Sequence, residues 1–213
     1  MMNINNNLKL WLLPIIPLCL FVFIAICVCS IPQVTAIDIS IIKFLQKTFS
    51  FISNDFLANI SNFFKFYSGI ILFIVTFILV YKKDIGLNLM YAVSIVSSKN
   101  VYDLFKHIVQ RQRPPLELQH NQQLDSFSFP SGHSYCITVL FGVLIYVIFR
   151  YCKNNFLKYT LTAICVIMIL LVIFSRLLLG VHYPTDVIAG FLLGLTTVFT
   201  ICLIDKQICS EDK

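Results

Sequence analysis

Apolar residues in this chain gather into long, nearly unbroken stretches separated by short polar segments. Six such stretches run approximately from Leu10 to Ile31, Phe63 to Tyr81, Ile85 to Phe105, Ser134 to Phe149, Phe156 to Leu179 and Val187 to Ile204. An apolar stretch of roughly 20 residues is long enough to cross a bilayer as a helix. Lipid offers the backbone no hydrogen-bond partners, and none of these runs alternates like a barrel strand, so helices are the expectation. The pattern predicts an all-α, polytopic membrane protein with about six transmembrane helices. No internal repeat, low-complexity tract or soluble domain interrupts it, so residues 1–213 are expected to form a single integral membrane domain.

Two segments need separate argument. The first run follows Lys9, and Val34-Thr35-Ala36 faintly resembles a cleavage site. A signal-peptide core spans about 7–15 residues; this run is longer and is expected to remain as an uncleaved span. Between the first two runs, residues 37–62 interleave Ile41, Phe44, Leu45, Phe49 and Ile52 with Lys43, Gln46, Lys47 and Asn54. That spacing suits an amphipathic helix in the membrane interface, and a packed loop equally well.

Composition narrows the class. Of 213 residues, 58% are hydrophobic and 12% charged, and mean hydropathy is +0.86. These values exclude an ordinary soluble domain, a disordered chain and a nucleic-acid-binding module. The net charge of +6 then points to loop charges or an anionic substrate rather than to nucleic acid. The short turns holding Lys82-Lys83 and Arg150 to Lys158 are expected in the cytoplasm, with both termini inside and the loops after spans one, three and five outside. The eight cysteines show no metal-ligand spacing and are expected to pack as small apolar residues.

Ionisable groups at membrane depth are costly and are functional candidates by default. Here Lys106, Arg113, His133, Arg176, His182 and Asp186 all fall at the outward ends of spans three to six. On a continuous helix Lys106 and Arg113 would share one face about 10 Å apart, while Arg111 would point elsewhere and Pro114-Pro115 would stop the helix. Phe129-Pro130-Ser131-Gly132-His133 opens span four, where a helix start favours an anion; Ser131 or Ser134 would also serve as an N-cap. Pro184 fits the first position of span six and places Asp186 in its first turn, within reach of His182. An Asp bonded to one imidazole nitrogen fixes the tautomer and leaves the other nitrogen as nucleophile or base. Three cations, two histidines and one carboxylate, without metal-ligand spacing, point to metal-free phosphoryl transfer with no cofactor.

Lys106-x6-Arg113-Pro114, Pro130-Ser131-Gly132-His133 and Ser175-Arg176-x5-His182-x3-Asp186 resemble, in order, the three signature motifs of the type 2 phosphatidic acid phosphatase superfamily. The motif-bearing part runs from residue 106 to 186. The resemblance implies that His182 attacks phosphorus to give a phosphohistidine, that Asp186 orients it, and that His133 protonates the leaving oxygen. It assigns Lys106, Arg113, Arg176, Ser131 and Gly132 to the phosphate oxygens. It also implies a lipid phosphate substrate entering from the bilayer, an extracytoplasmic site in the cytoplasmic membrane, and no obligatory protein partner. Among compact bacterial members, undecaprenyl pyrophosphate is the first expectation. Phosphatidylglycerophosphate, phosphatidic acid and lipid A phosphatases are alternatives, as are a lipid phosphotransferase and, last, a non-catalytic scaffold. Glu117 and Asp125 in the polar loop from Pro115 to Phe129 would tune head-group choice or simply be solvated.

Overall fold

In a computed structural model of the protein, residues 4–82, 84–120 and 126–211 are described. Lys83, Asp125 and Lys213, and the side chains of Lys9, Lys65 and Cys209, lie outside the described residues. Among the described residues seven α-helices follow one another: α1 (Ile4–Ser30), α2 (Pro32–Thr48), α3 (Asn54–Tyr81), α4 (Ile85–Val109), α5 (Gly132–Tyr151), α6 (Asn155–Leu178) and α7 (Pro184–Glu211), with a 3-10 turn at Leu116–Leu118. No strand occurs among the described residues.

Among the described residues four stretches are long and apolar enough to cross a membrane: Trp11–Ser30, Gly132–Tyr151, Asn155–Leu178 and Pro184–Ile208. The other two runs expected as spans lie in α3 and α4, helices of 28 and 25 residues. The ambiguous segment 37–62 is helical over most of its length. Its first part belongs to α2, and from Asn54 onward it forms the first turns of α3. On α2 Asp38 and Ile42 are buried while Ile37, Ile41 and Phe44 are exposed.

Local chemistry sets the helix ends. Asp84 and Asn154 accept hydrogen bonds from the N–H groups of Leu87 and Leu157, capping α4 and α6. Pro184 opens α7, where its missing N–H costs nothing. The helix α4 ends earlier than Pro114 would enforce, because Gln110 turns left-handed with φ 49° and its N–H closes back on the Lys106 carbonyl.

Packing centres on α5, which lies against α3, α4, α6 and α7, while α1 lies along α7. Val143 of α5, Val172 of α6 and Val198 of α7 meet in the main apolar cluster, with Tyr91 of α4 and Val75 of α3. Glycine lets α5 and α7 approach closely. A Cβ on Gly190 would stand 2.4 Å from the Ser131 carbonyl oxygen, and one on Gly194 would stand 2.7 Å from the Thr138 Cβ. Small residues at such contacts let helices pack backbone to backbone in a membrane.

Candidate active site

Chain direction alternates through α4, α5, α6 and α7, so the C-terminal ends of α4 and α6 meet the N-terminal ends of α5 and α7. This end of the bundle holds every residue of the three motifs. His182 stands between α6 and α7, and Asp186 lies in the first turn of α7. Both are buried. Asp186 caps its own helix by accepting from the Tyr183 N–H at 2.9 Å. The same oxygen, Oδ2, accepts from the Ser128 hydroxyl at 2.5 Å and lies 3.6 Å from His182 Nδ1. Capping therefore explains only part of what this carboxylate does.

The tautomer of His182 follows from its neighbours. Arg113 Nη1 lies 3.4 Å from Nε2, and a guanidinium can only donate, so Nε2 is the acceptor and Nδ1 carries the hydrogen. Nδ1 faces Asp186 Oδ2 and the Ser128 hydroxyl oxygen at 3.5 Å; that hydroxyl has already given its own proton to Asp186. Burial lowers the imidazole pKa to about 4, with Arg113 and Arg176 pushing the same way and Asp186 opposing them. His182 is neutral at physiological pH, with its Nε2 lone pair on the side of a cation.

Lys106 and Arg113 converge, by a route that differs from the sequence expectation. They do not share one helix, because α4 stops at Val109 and Arg113 follows in the irregular segment before the 3-10 turn. Both nevertheless donate to the Ser126 hydroxyl, Lys106 Nζ at 3.2 Å and Arg113 Nη2 at 3.0 Å. Arg113 also donates to the carbonyls of Ser126 at 2.8 Å and Val181 at 2.6 Å. Among the described residues neither cation has a carboxylate within 4 Å. An acceptor oxygen thus sits between two cations that lack a directly paired carboxylate among the described residues, beside the acceptor face of His182.

Arg176 is buried at the end of α6, close enough for its charge to act on His182. Ser131 is the N-cap of α5, its hydroxyl accepting from the Ser134 N–H at 3.4 Å and the Ser134 hydroxyl at 3.0 Å. The Ser131 N–H donates to the Asp186 carbonyl at 3.0 Å, which fastens the start of α5 to that of α7. Gly132 begins α5 where a Cβ would press on the Tyr102 ring at 3.1 Å, and partly buried His133 follows in the same turn. Among the described residues no group of three or more His, Cys, Asp or Glu side chains is placed to hold a metal ion.

Arg111 was expected to point away, and the structure overturns this. Because α4 ends at Gln110, Arg111 is buried in the site, donating from Nη1 to Asp186 Oδ1 at 2.6 Å and from Nη2 to Asp38 Oδ2 at 2.8 Å. Its guanidinium lies over the Tyr183 ring, 3.9 Å from the centroid. Asp38 and Ser128 also escaped sequence reasoning. A signal existed for Asp38, a lone carboxylate in the apolar run Ala36-Ile37-Asp38-Ile39, which demands a partner.

Comparison with known proteins places this geometry. Residues 87–208 match the PAP2 superfamily. The chain belongs to that superfamily. It is 34% identical over 110 residues to phosphatidylglycerophosphatase B of Bacillus subtilis, covering 49% of this chain and 51% of that protein. It is 27% identical over 122 residues to the undecaprenyl-diphosphatase of Sulfolobus acidocaldarius, covering 55% and 54%. The chain thus spans about half the length of these relatives. Its fold is similar to the crystal structure of a transmembrane PAP2-type phosphatidylglycerolphosphate phosphatase from Bacillus subtilis, with a TM-score of 0.77 and 25% identity over 92% of this chain and 97% of that one. As a PAP2 protein with several membrane-length apolar helices, the chain is a multi-pass membrane protein.

Proposed function

We propose that this chain is a lipid phosphatase that hydrolyses a phosphomonoester or pyrophosphate on a lipid head group through a phosphohistidine, with residues 1–213 acting as one membrane domain. The observation that carries this reading is the setting of His182: neutral and buried, Nδ1 toward Asp186, Nε2 toward Arg113. In the first step the Nε2 lone pair attacks phosphorus and the bond to the lipid-side oxygen breaks. His133 gives that oxygen a proton. Asp186 balances the positive charge that develops on the ring. In the second step His133 takes a proton from water, the water oxygen attacks phosphorus, and the N–P bond returns its electrons to Nε2. Lys106, Arg113 and Arg176 stabilise the equatorial oxygens, with Ser131 and Gly132 presenting the start of α5 to them. The 3.6 Å between His182 Nδ1 and Asp186 Oδ2 is longer than a hydrogen bond, and catalytic contacts of this kind commonly tighten when substrate binds.

Two substrates have specific support. Phosphatidylglycerophosphate is favoured by the 34% relative and by the structural likeness. Undecaprenyl pyrophosphate, the first expectation from sequence, keeps the support of the 27% relative. The site end is taken as extracytoplasmic in the cytoplasmic membrane, because Lys82, Arg150, Lys153 and Lys158 mark the opposite ends of the helices. The test is phosphate release by purified protein in EDTA from phosphatidylglycerophosphate, undecaprenyl pyrophosphate, phosphatidic acid and a soluble phosphate ester, with His182→Ala in parallel. EDTA-resistant release that His182→Ala abolishes supports the reading and ranks the substrates. Full activity in folded His182→Ala removes the covalent mechanism, and no release from any lipid by folded wild type removes the phosphatase.

A further inference from the structure

The bridge from Asp38 through Arg111 reaches the motif residue Asp186 from two positions that the three motifs do not specify, and it ties α2 to the site. We infer that Arg111, shared with Asp38, is a positioning residue for the His182–Asp186 pair, an inference that rests on the function proposed above. The geometry divides the two oxygens of Asp186. Arg111 Nη1 takes Oδ1 at 2.6 Å, which leaves Oδ2 for the Ser128 hydroxyl, the Tyr183 N–H and His182. A carboxylate held on both oxygens cannot rotate about its terminal bond, so the oxygen facing His182 stays in place. Arg111 is itself held on three sides: by Asp186, by Asp38 together with the Thr35 hydroxyl at 3.1 Å, and by the Tyr183 ring. Its planar fork is the reason one side chain can serve two carboxylates.

Asp38 does more than neutralise a charge. Its Oδ1 accepts from the Thr185 N–H at 3.2 Å and its Oδ2 from the Thr185 hydroxyl at 2.5 Å, so α2 supplies a cap to the first turn of α7. With one guanidinium shared between two carboxylates, the cluster keeps a surplus negative charge on the His182 side. Were Arg111 to serve Asp186 alone, it would cancel the charge that must balance the imidazolium character of a phosphorylated His182. Sharing with Asp38 orients Asp186 without silencing it.

The variants Arg111→Gln, Arg111→Lys and Asp38→Asn test this in the full chain, with wild type and His182→Ala alongside. Arg111→Gln is expected to lower kcat by on the order of 10- to 100-fold, the scale of a misplaced catalytic group, while KM stays within about twofold. The groups that face His182 are Asp186 on α7, Ser128 before α5, Arg113 after α4 and Arg176 on α6, with Arg111 behind Asp186. Removing the Arg111 cation favours protonated His182, so the acid limb of the kcat profile moves to higher pH; Asp38→Asn, which removes a negative charge, moves it the opposite way. Arg111→Lys keeps the charge and loses the fork, so kcat falls while the acid limb stays in place. If Arg111→Gln does not fold, Arg111→Lys and Asp38→Asn carry the test. Wild-type kcat in a folded Arg111 variant, or a loss carried by KM, overturns the inference while the phosphatase stands. An inactive wild type overturns the proposed function instead.

Discussion

The two ends of the bundle both gather charge, and they use it in opposite ways. At the end away from the site, Arg150 of α5 pairs with Asp84 at 3.1 Å and with Asp205 of α7. Tyr146 donates to Asp205 at 2.6 Å, and Tyr151 donates to Asp84. Each carboxylate there meets a cation and a phenol, and the network clasps the start of α4 to α5 and α7. At the site end, Arg111 is likewise consumed by carboxylates, but among the described residues Lys106 and Arg113 meet hydroxyls, carbonyls, an imidazole and, for Lys106, the Tyr102 ring, with no carboxylate within 4 Å. The contrast gives a criterion applicable inside a single site. A cation that already faces carboxylates is architecture, whereas one bonded only to neutral acceptors retains its attraction for an anion.

The sharpest challenge to this criterion is to alter the cations assigned to the phosphate. Arg113→Gln should lower kcat/KM by on the order of 10²- to 10³-fold, the usual cost of losing a preorganised donor at developing charge. Arg176→Lys should also be far from silent, since an ammonium cannot replace a planar fork. Wild-type kinetics in either variant, measured by initial-rate phosphate release, would break the assignment. Next in size is Gly190→Ala, where the added Cβ meets the Ser131 carbonyl and pushes the start of α5 from that of α7. A kcat loss of about tenfold or more is expected from the displaced helix start, and Gly194→Ala makes a comparison further from the site.

A third test concerns pH. Burial holds His182 near a pKa of about 4 rather than 6.5, and attack requires the neutral ring. Activity is therefore present above that value and lost as pH falls through it, so the acid limb of kcat/KM that belongs to His182 lies near 4. A limb at 6.5, absent from a His133 variant, would reassign it. The smallest effect on turnover belongs to Arg150→Gln. It leaves two carboxylates without their cation and should cost about 1–3 kcal/mol of stability, seen as a lower Tm, with kcat of the folded fraction unchanged.

Legibility followed the range of the interactions. The spans later found as α5, α6 and α7 were predicted within about three residues at their N-terminal ends, because apolar length, Pro184 and the Ser131 cap are local signals. That the motif positions gather at one end of the bundle was legible too, since each lies at a helix end or in the segment joining two helices. The bridge from Asp38 through Arg111 to Asp186 was not. It depends on α4 stopping at a left-handed Gln110 instead of at the prolines, and on a partner 73 residues away in sequence. Helical periodicity, carried past the true end of α4, turned Arg111 the wrong way. The start of α3 at Asn54 was hidden for a related reason: polar Asn54, Asp55 and Asn62 break the apolar run without breaking the helix.

The tie between α2 and α7 also has a consequence in time. Asp38 leaves the ribosome long before its partners: Arg111 follows 73 residues later and Thr185 147 residues later. Before Arg111 emerges that carboxylate stands beside apolar chain without its guanidinium, and before Thr185 emerges α2 lacks its tie to α7. The pocket therefore cannot close before the start of α7 arrives, and a nascent chain released before that point would hold most of its helices but no site.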